Sequence, residues 1–225
     1  PNVLENTNIV FIGDNGTPGQ AVVPPAESNR AKTTLYQVGV WVPWIMKGPS
    51  VPQTDTRVTA LVNTVDLFST IIELAGGIPD AIVPDEVILD SRSVMPLLVN
   101  PGSGSVRHFN MTEIFRRNPR NSDGKTIRNG EYKLIRFDNG STEFYHLTDD
   151  TWEHVNLLAE MLDVTQQHNY DGLNTVLDQF LSGDSSEFGE PGGWRVVDTG
   201  QTAFYNGSSE IAPPVPGTDF YGQDA

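Results

Sequence analysis

The chain contains no cysteine, which excludes disulfides, thiolate metal sites and a cysteine nucleophile within these residues. It is poor in positive charge: fourteen Lys and Arg face twenty-nine Asp and Glu, a formal net charge of -15. Such a balance repels a phosphate backbone and excludes a general nucleic-acid binder. The longest apolar stretch lies near Val40 to Met46, far short of the roughly 20 residues that cross a bilayer, so no membrane span is expected. The chain opens at Pro1 with no charged-then-apolar leader, so any signal peptide is expected to have been removed or to lie on further sequence. What is present suffices for a core, with 37% hydrophobic and 19% charged residues, outside the composition of a disordered acidic tail. At 225 residues the length fits one large domain or two ordinary ones.

Charge divides the sequence. From Gly183 onward there are seven acids, one base (Arg195), eight Gly and four Pro, a composition that argues for irregular structure. Its aromatic residues, among them Trp194 and Tyr221, are unusual in a linker, and an extension that wraps on the body is expected. Eight of the fourteen bases fall between Arg107 and Arg136. They read as the solvated face of an antiparallel sheet, with a surface facing a polyanionic substrate as the alternative.

Ile9-Val10-Phe11-Ile12 is an unbroken apolar run ended by Gly13-Asp14-Asn15-Gly16, the pattern of a strand buried on both faces and followed by a turn. Val40 to Met46 is a second strand candidate, placed at an edge or bulge by Pro43. Leu67, Phe68, Ile71, Ile72, Leu74 and Ala75 repeat at helical spacing after Asp66, an N-cap candidate, and Gly76-Gly77 closes the helix. Glu131 to Phe137 and Thr142 to Leu147 flank Asp138-Asn139-Gly140-Ser141, a hairpin signal. Leu173, Val176, Leu177, Phe180 and Leu181 mark a late helix ending at Gly183. The expected fold is α/β: part of a mixed, largely parallel sheet flanked by helices, then a smaller α+β subdomain with an antiparallel sheet and the late helix. The boundaries this implies are 1–105, 106–182 and 183–225.

Asp14-Asn15-Gly16 follows a strand's carboxyl end, where open α/β sheets place their ligand crevice. A carboxylate beside an amide oxygen offers hard ligands for Ca²⁺ or Mg²⁺, although Asp-Asn-Gly is also a common turn. Lys32, in Arg30-Ala31-Lys32-Thr33-Thr34, taken alone reads as surface solvation, and only its surroundings give it interest. No Gly-x-Ser-x-Gly, His-Glu-x-x-His, P-loop or EF-hand loop occurs, so those hydrolase and nucleotide chemistries lose support. The four histidines show no ligand spacing, and His108, beside Arg107, is the one best placed to meet a substrate.

The run Ile9 to Gly16, then Ala31-Lys32, then Tyr36 to Pro43 resembles the second half of the sulfatase family, a branch of the alkaline phosphatase superfamily. Val65 to Gly76 is similar to its Asp-Leu and Leu-Ala-Gly helix, and Ser91 to Leu98 to its serine-leucine-proline-leucine-leucine segment. Ile127-Arg128-Asn129-Gly130-Glu131-Tyr132-Lys133 is similar to its arginine-x-glycine-x-tyrosine-lysine strand. Phe144 to Leu147, Glu153 and Asn156-Leu157 are similar to its closing motifs. These segments keep family order from residue 9 to about 182. Gln37 and Val38 stand where Glu and Gly are usual, Trp41 where Arg is common, and His146 where Asp is usual; these departures bear on substrate preference.

The resemblance implies hydrolysis of a sulfate ester, possible substrates including a sulfated carbohydrate. It implies a formylglycine nucleophile made from a Cys or Ser in Cys/Ser-x-Pro-x-Arg, and a divalent cation, Ca²⁺ in preference to Mg²⁺, that polarises the sulfate oxygens. By position Asp14 and Asn15 match two metal ligands and Lys32 the lysine that contacts sulfate. Arg107 and His108 are further substrate-binding candidates. No Cys/Ser-x-Pro-x-Arg occurs here, so the chain is expected to be the C-terminal half of such an enzyme. The remaining ligands and nucleophile would come from a missing N-terminal half of the same protein, and the fragment alone would be inactive. A periplasmic or extracellular location is the family's usual one. Two alternatives stay open: a phosphate ester or phosphonate hydrolase of the same superfamily, and a non-catalytic module that binds sulfated glycans.

Overall fold

A computed structural model of the chain describes residues 3–52, 55–84, 87 and 89–182. The expected acidic extension from Gly183 lies outside the described residues. The chain forms two compact units, each built from non-contiguous segments rather than from consecutive blocks. One takes the described residues of Pro1–Asn8, Lys47–Asn110 and the stretch from Asn174; the other takes Ile9–Met46 and Met111–Leu173.

In the second unit, strand β1 (Ile9–Ile12) pairs with β2 (Trp44–Lys47), with a single-turn helix α1 (Gln37–Val40) between them. Two expectations are corrected here. β1 is not buried on both faces: Ile9 and Phe11 are 47% and 58% exposed, while Val10 and Ile12 are half-buried. A two-stranded ribbon has no layer on its second face, so its residues alternate. The second strand begins after Pro43 rather than at Val40, because proline lacks the N–H a ladder needs; the Pro43 carbonyl instead accepts from the Gly13 amide at 3.0 Å.

The larger sheet of this unit is four-stranded in the order β3 (Asn110–Ile114), β4 (Gly124–Arg128), β5 (Tyr132–Phe137), β6 (Thr142–His146). β4–β5 and β5–β6 are antiparallel, as strands joined by short turns must be. A largely parallel sheet is not found among the described residues: the four-stranded sheet takes its strands in sequence order, and the two pairs joined by short turns, β4–β5 and β5–β6, are antiparallel. At the β5–β6 turn Asn139 Oδ1 accepts from the Ser141 amide at 2.8 Å. Gly140 there takes φ 89°, the left-handed conformation for which Asn-Gly is selected. Leu35, Ile135, Tyr145 and Leu147 form the core beneath this sheet, with Tyr36, Ile114 and Phe137 packed around it.

In the first unit helix α2 (Asp66–Leu74) ends as its glycines predict. The Gly77 amide donates to Ile72 and the Gly76 amide to Glu73, both at 2.9 Å, and Gly76 takes φ 83°, which is the left-handed helix stop. Asp66 is the first helical residue, and its carboxylate caps no amide of α2. It turns inward instead, accepting from the Asn63 and Arg92 amides at 2.8 Å each and from the buried Arg107 guanidinium. Short helices α3 (Pro79–Ile82) and α4 (Met95–Val99) follow. Helix α5 (Val164–Ser182) runs from the second unit into the first and starts earlier than its apolar spacing indicates. Asp163 Oδ1 accepts from the Gln166 amide at 2.8 Å while Gln166 Oε1 accepts from the Asp163 amide at 3.0 Å, a reciprocal cap.

Candidate functional site

The turn after β1 is shaped by two glycines. A Cβ on Gly16 would lie 2.2 Å from the Gly39 carbonyl oxygen, and one on Gly39 would lie 2.5 Å from the Thr34 carbonyl oxygen. Only residues without a side chain allow the Asp14-Asn15-Gly16 bend to press against the start of α1. The contact is held by the backbone: the Thr17 amide donates to Val38 at 3.0 Å, and the Lys32 amide donates to the Thr17 carbonyl at 2.8 Å. Lys32 therefore sits on a segment bonded to the residue two positions after Asn15. Asp14, Asn15 and Lys32 are all exposed, and none has a side-chain partner among the described residues.

The Lys32 segment is rigid for identifiable reasons. Thr33 takes φ 77°, which is costly for a β-branched residue and marks a backbone held by its surroundings. On one side Arg30 donates to the carbonyls of Trp152 and Glu153, and its guanidinium stacks 4.6 Å from the Tyr36 ring centroid. On the other side the Thr34 hydroxyl donates to Arg30 and Ala31 carbonyls at 2.7 and 2.8 Å. Beneath lies a buried charge pair: Lys133 Nζ and Glu153 Oε1 stand 2.7 Å apart at 1% and 0% exposure. Glu153 Oε2 also accepts from the Gln37 amide at 2.6 Å, tying the pair to the first residue of α1. Burial pulls the Lys133 ammonium down to about 8, against the attraction of Glu153. Burial and the hydrogen bonds to Glu143 push both Tyr36 and Tyr145 well above the ordinary phenol value; each hydroxyl donates to Glu143 Oε2 at 2.7 Å.

Arg107 and His108 belong to the first unit. Arg107 is buried, its guanidinium engaged by the Asp66 carboxylate and the Asp90 carbonyl. Both residues line a cavity of about 470 Å³ together with Glu73, Asp80, Ser93 and Phe180. Sequence reasoning missed the roles of Lys133, Glu153, Asn129 and Asn156, although it singled out their motifs. Asn156 Oδ1 accepts from the Phe144 and Leu158 amides at 3.0 and 3.1 Å. Asn129 Oδ1 accepts from the Glu131 and Tyr132 amides at 2.9 and 2.7 Å. These side chains fasten the sheet, and no local pattern announces it, because β5 also carries Arg136 and Glu153 lies in a polar turn beside Asp149, Asp150 and His154.

Asp14 and Asn15 offer two oxygen donors to a hard cation, whereas Ca²⁺ takes six to eight. No group of three or more His, Asp or Glu among the described residues is arranged to hold a metal. The fit is that of a partial ligand set. No helix among the described residues is long and apolar enough to cross a membrane.

Comparison with known proteins identifies the family. Residues 30–181 match the family model "N-sulphoglucosamine sulphohydrolase, C-terminal". A "Sulfatase" of Formosa agariphila is 31% identical over 179 residues, covering 70% of this chain and 30% of that protein. An "Ulvan-active sulfatase" of the same organism is 26% identical over 225 residues, covering 95% of this chain and 42% of its own length. The chain thus spans well under half the length of these curated relatives. Among solved structures, BT4656 in complex with its substrate D-glucosamine-2-N,6-O-disulfate superposes with a TM-score of 0.63 at 22% identity, covering 82% of this chain and 36% of that one. With its matched span running through both units and most of its length, the chain belongs to the N-sulphoglucosamine sulphohydrolase C-terminal family and is a sulfatase-family C-terminal region.

Proposed function

We propose that this chain contributes to a sulfuric ester hydrolase, acting on a sulfate ester carried by a carbohydrate. Asp14 and Asn15 are two ligands of a divalent cation, Ca²⁺ in preference to Mg²⁺, and Lys32 contacts the sulfate. The observation that carries the reading is the bond from the Lys32 amide to the Thr17 carbonyl at 2.8 Å, which puts an unpartnered ammonium and an unpartnered carboxylate–amide pair on adjoining segments. Left exposed and unneutralised, such groups suit a ligand that brings both a cation and an anion.

The chemistry asked of these residues is electrostatic. As the S–O bond of a sulfate ester breaks, negative charge grows on the departing oxygen and on the sulfuryl oxygens. A fixed ammonium aimed at that charge lowers the barrier without reorganising at the moment of reaction. Lysine serves as a point charge, and the strained Thr33 with its anchors holds the segment that carries it. The cation, when bound, polarises the sulfate oxygens. The attacking formylglycine hydrate has no source in these 225 residues, which lack the Cys/Ser-x-Pro-x-Arg motif; on this reading the isolated chain does not turn over substrate. Periplasmic or extracellular action follows from the same reading.

The test compares aryl sulfate with aryl phosphate esters in the full-length protein. A dominant sulfate rate is expected, and a dominant phosphate rate would transfer the same machinery to a phosphate ester or phosphonate hydrolase. Glycan binding without turnover of either ester would make it a binding module.

A further inference from the structure

The cluster of basic residues between Arg107 and Arg136 resolves into two classes. Most of it is consumed inside the protein. Arg107 pairs with Asp66, Arg116 with Asp123, Lys125 with Glu113 and Asp138, and Lys133 with Glu153, while Arg128 donates to the Asn129 and Gly130 carbonyls. Arg117 and Arg120 are different: both are exposed and neither side chain has a partner among the described residues. In a chain of net charge -15, acidic partners are plentiful, so two unpaired guanidinium groups three residues apart on one bonded loop call for an explanation.

Their loop is well built. Asp123, 1% exposed, binds the Arg116 guanidinium and accepts from the Arg120 amide at 3.0 Å, and the Asp123 amide donates back to the Arg120 carbonyl at 2.9 Å. Arg116 is turned inward by this pairing. Its other nitrogen donates to the Thr33 carbonyl at 2.7 Å, joining the loop to the residue next to Lys32. Phe115, immediately before, is 88% exposed. Within the unit that holds Lys32, the cations with no partner among the described residues are Lys32, Arg117 and Arg120, and the Arg116–Thr33 bond binds their two segments together.

We propose that Phe115, Arg117 and Arg120 form a subsite beside Lys32 that holds a second sulfate group on the carbohydrate whose first sulfate faces Lys32. Arginine suits this task because its planar fork binds tetrahedral oxyanions in pairs of hydrogen bonds. Phe115 supplies an apolar surface for the sugar ring between the two anions. The inference rests on the proposed function for the placement of the first sulfate, and it sets specificity rather than chemistry: a disulfated sugar is preferred over a singly sulfated one.

The test is calorimetric binding in the full-length protein carrying Lys32→Ala, whose slowed turnover lets affinity be read before the sugar is consumed. The probes are D-glucosamine-2-N,6-O-disulfate and the two singly sulfated glucosamines. With Arg117 and Arg120 intact the disulfated sugar binds more tightly, and this preference weakens as salt is raised, as exposed charges require. In the added double variant Arg117→Ala/Arg120→Ala the preference falls about fivefold, the scale of two exposed ion pairs, and Arg117→Glu/Arg120→Glu abolishes it. No preference in the arginine-intact protein, or a preference that survives both double variants, overturns the subsite. Failure of the functional reading is seen separately, as wild-type aryl sulfate turnover by the Lys32→Ala protein.

Discussion

Lys133 is the residue whose environment makes the sharpest demand. An ammonium at 1% exposure loses its hydration and is retained only because Glu153 faces it, and removing one partner of such a pair costs about 3–5 kcal/mol. With its folded value near 8 below its ordinary 10.5, the unfolded chain binds the proton more tightly between those limits. Unfolding then takes up a proton, so this group makes stability rise with pH from about 8 toward 10.5. Tyr36 and Tyr145 act oppositely. Their folded values lie above the ordinary 10.0, so the stability they confer is present below pH 10 and is lost as pH rises further. Urea unfolding of the full-length protein should therefore show stability increasing from pH 8 to a maximum near pH 10. In Lys133→Met the rise should vanish while the alkaline fall remains. A Lys133→Met profile with the same rise would place the titration elsewhere.

At the scale of elements, the stop of α2 shows how local chemistry and structure agree. Gly76 has open space around a would-be Cβ and φ 83°, so Gly76→Ala should cost about 1 kcal/mol from backbone strain alone. A thermal shift larger than a few degrees would reveal packing that the geometry lacks. Elements whose signal is local were legible in the sequence: the helix at Asp66, the Asn139-Gly140 turn and the apolar face of α5. Elements set by distant partners were not. The strand expected over Val40 to Met46 became a helical turn plus a shorter strand, because the hydrogen-bond needs of Pro43 and the contact with Gly13 override apolar content. Asp66 looked like a cap, yet an arginine 41 positions away claims its carboxylate, and no local pattern announces such a partner. Motif order singled out the Asp14-Asn15 bend and Lys32 as candidates. The scaffold that fixes them depends on distant partners: Arg30 and Gln37 reach residues more than 90 positions away, and Thr33 meets Arg116, 83 positions on.

For the whole molecule, exposed apolar surface and net charge pull in opposite directions. Ile9, Phe11, Trp41 and Ile45 in one unit, and Val65, Phe68 and Ile71 in the other, are each at least 45% exposed. Apolar surface of this kind, alongside an unpaired strand edge, promotes association, while a net charge of -15 opposes it at low ionic strength. Light scattering of the isolated 225-residue chain should show self-association that grows as salt screens the repulsion. A monodisperse monomer across that range would show that these side chains are covered within the chain.

The central claim is that Lys32, held beside the Asp14-Asn15 bend, faces the reacting sulfate. The direct test is kcat/KM for aryl sulfate hydrolysis by the full-length protein and by Lys32→Ala, with the thermal midpoint measured on both. Loss of about 10²–10³-fold in kcat/KM, the scale of removing one positioned donor, with an unchanged midpoint is the predicted result. Equal kcat/KM in the two proteins would contradict the account.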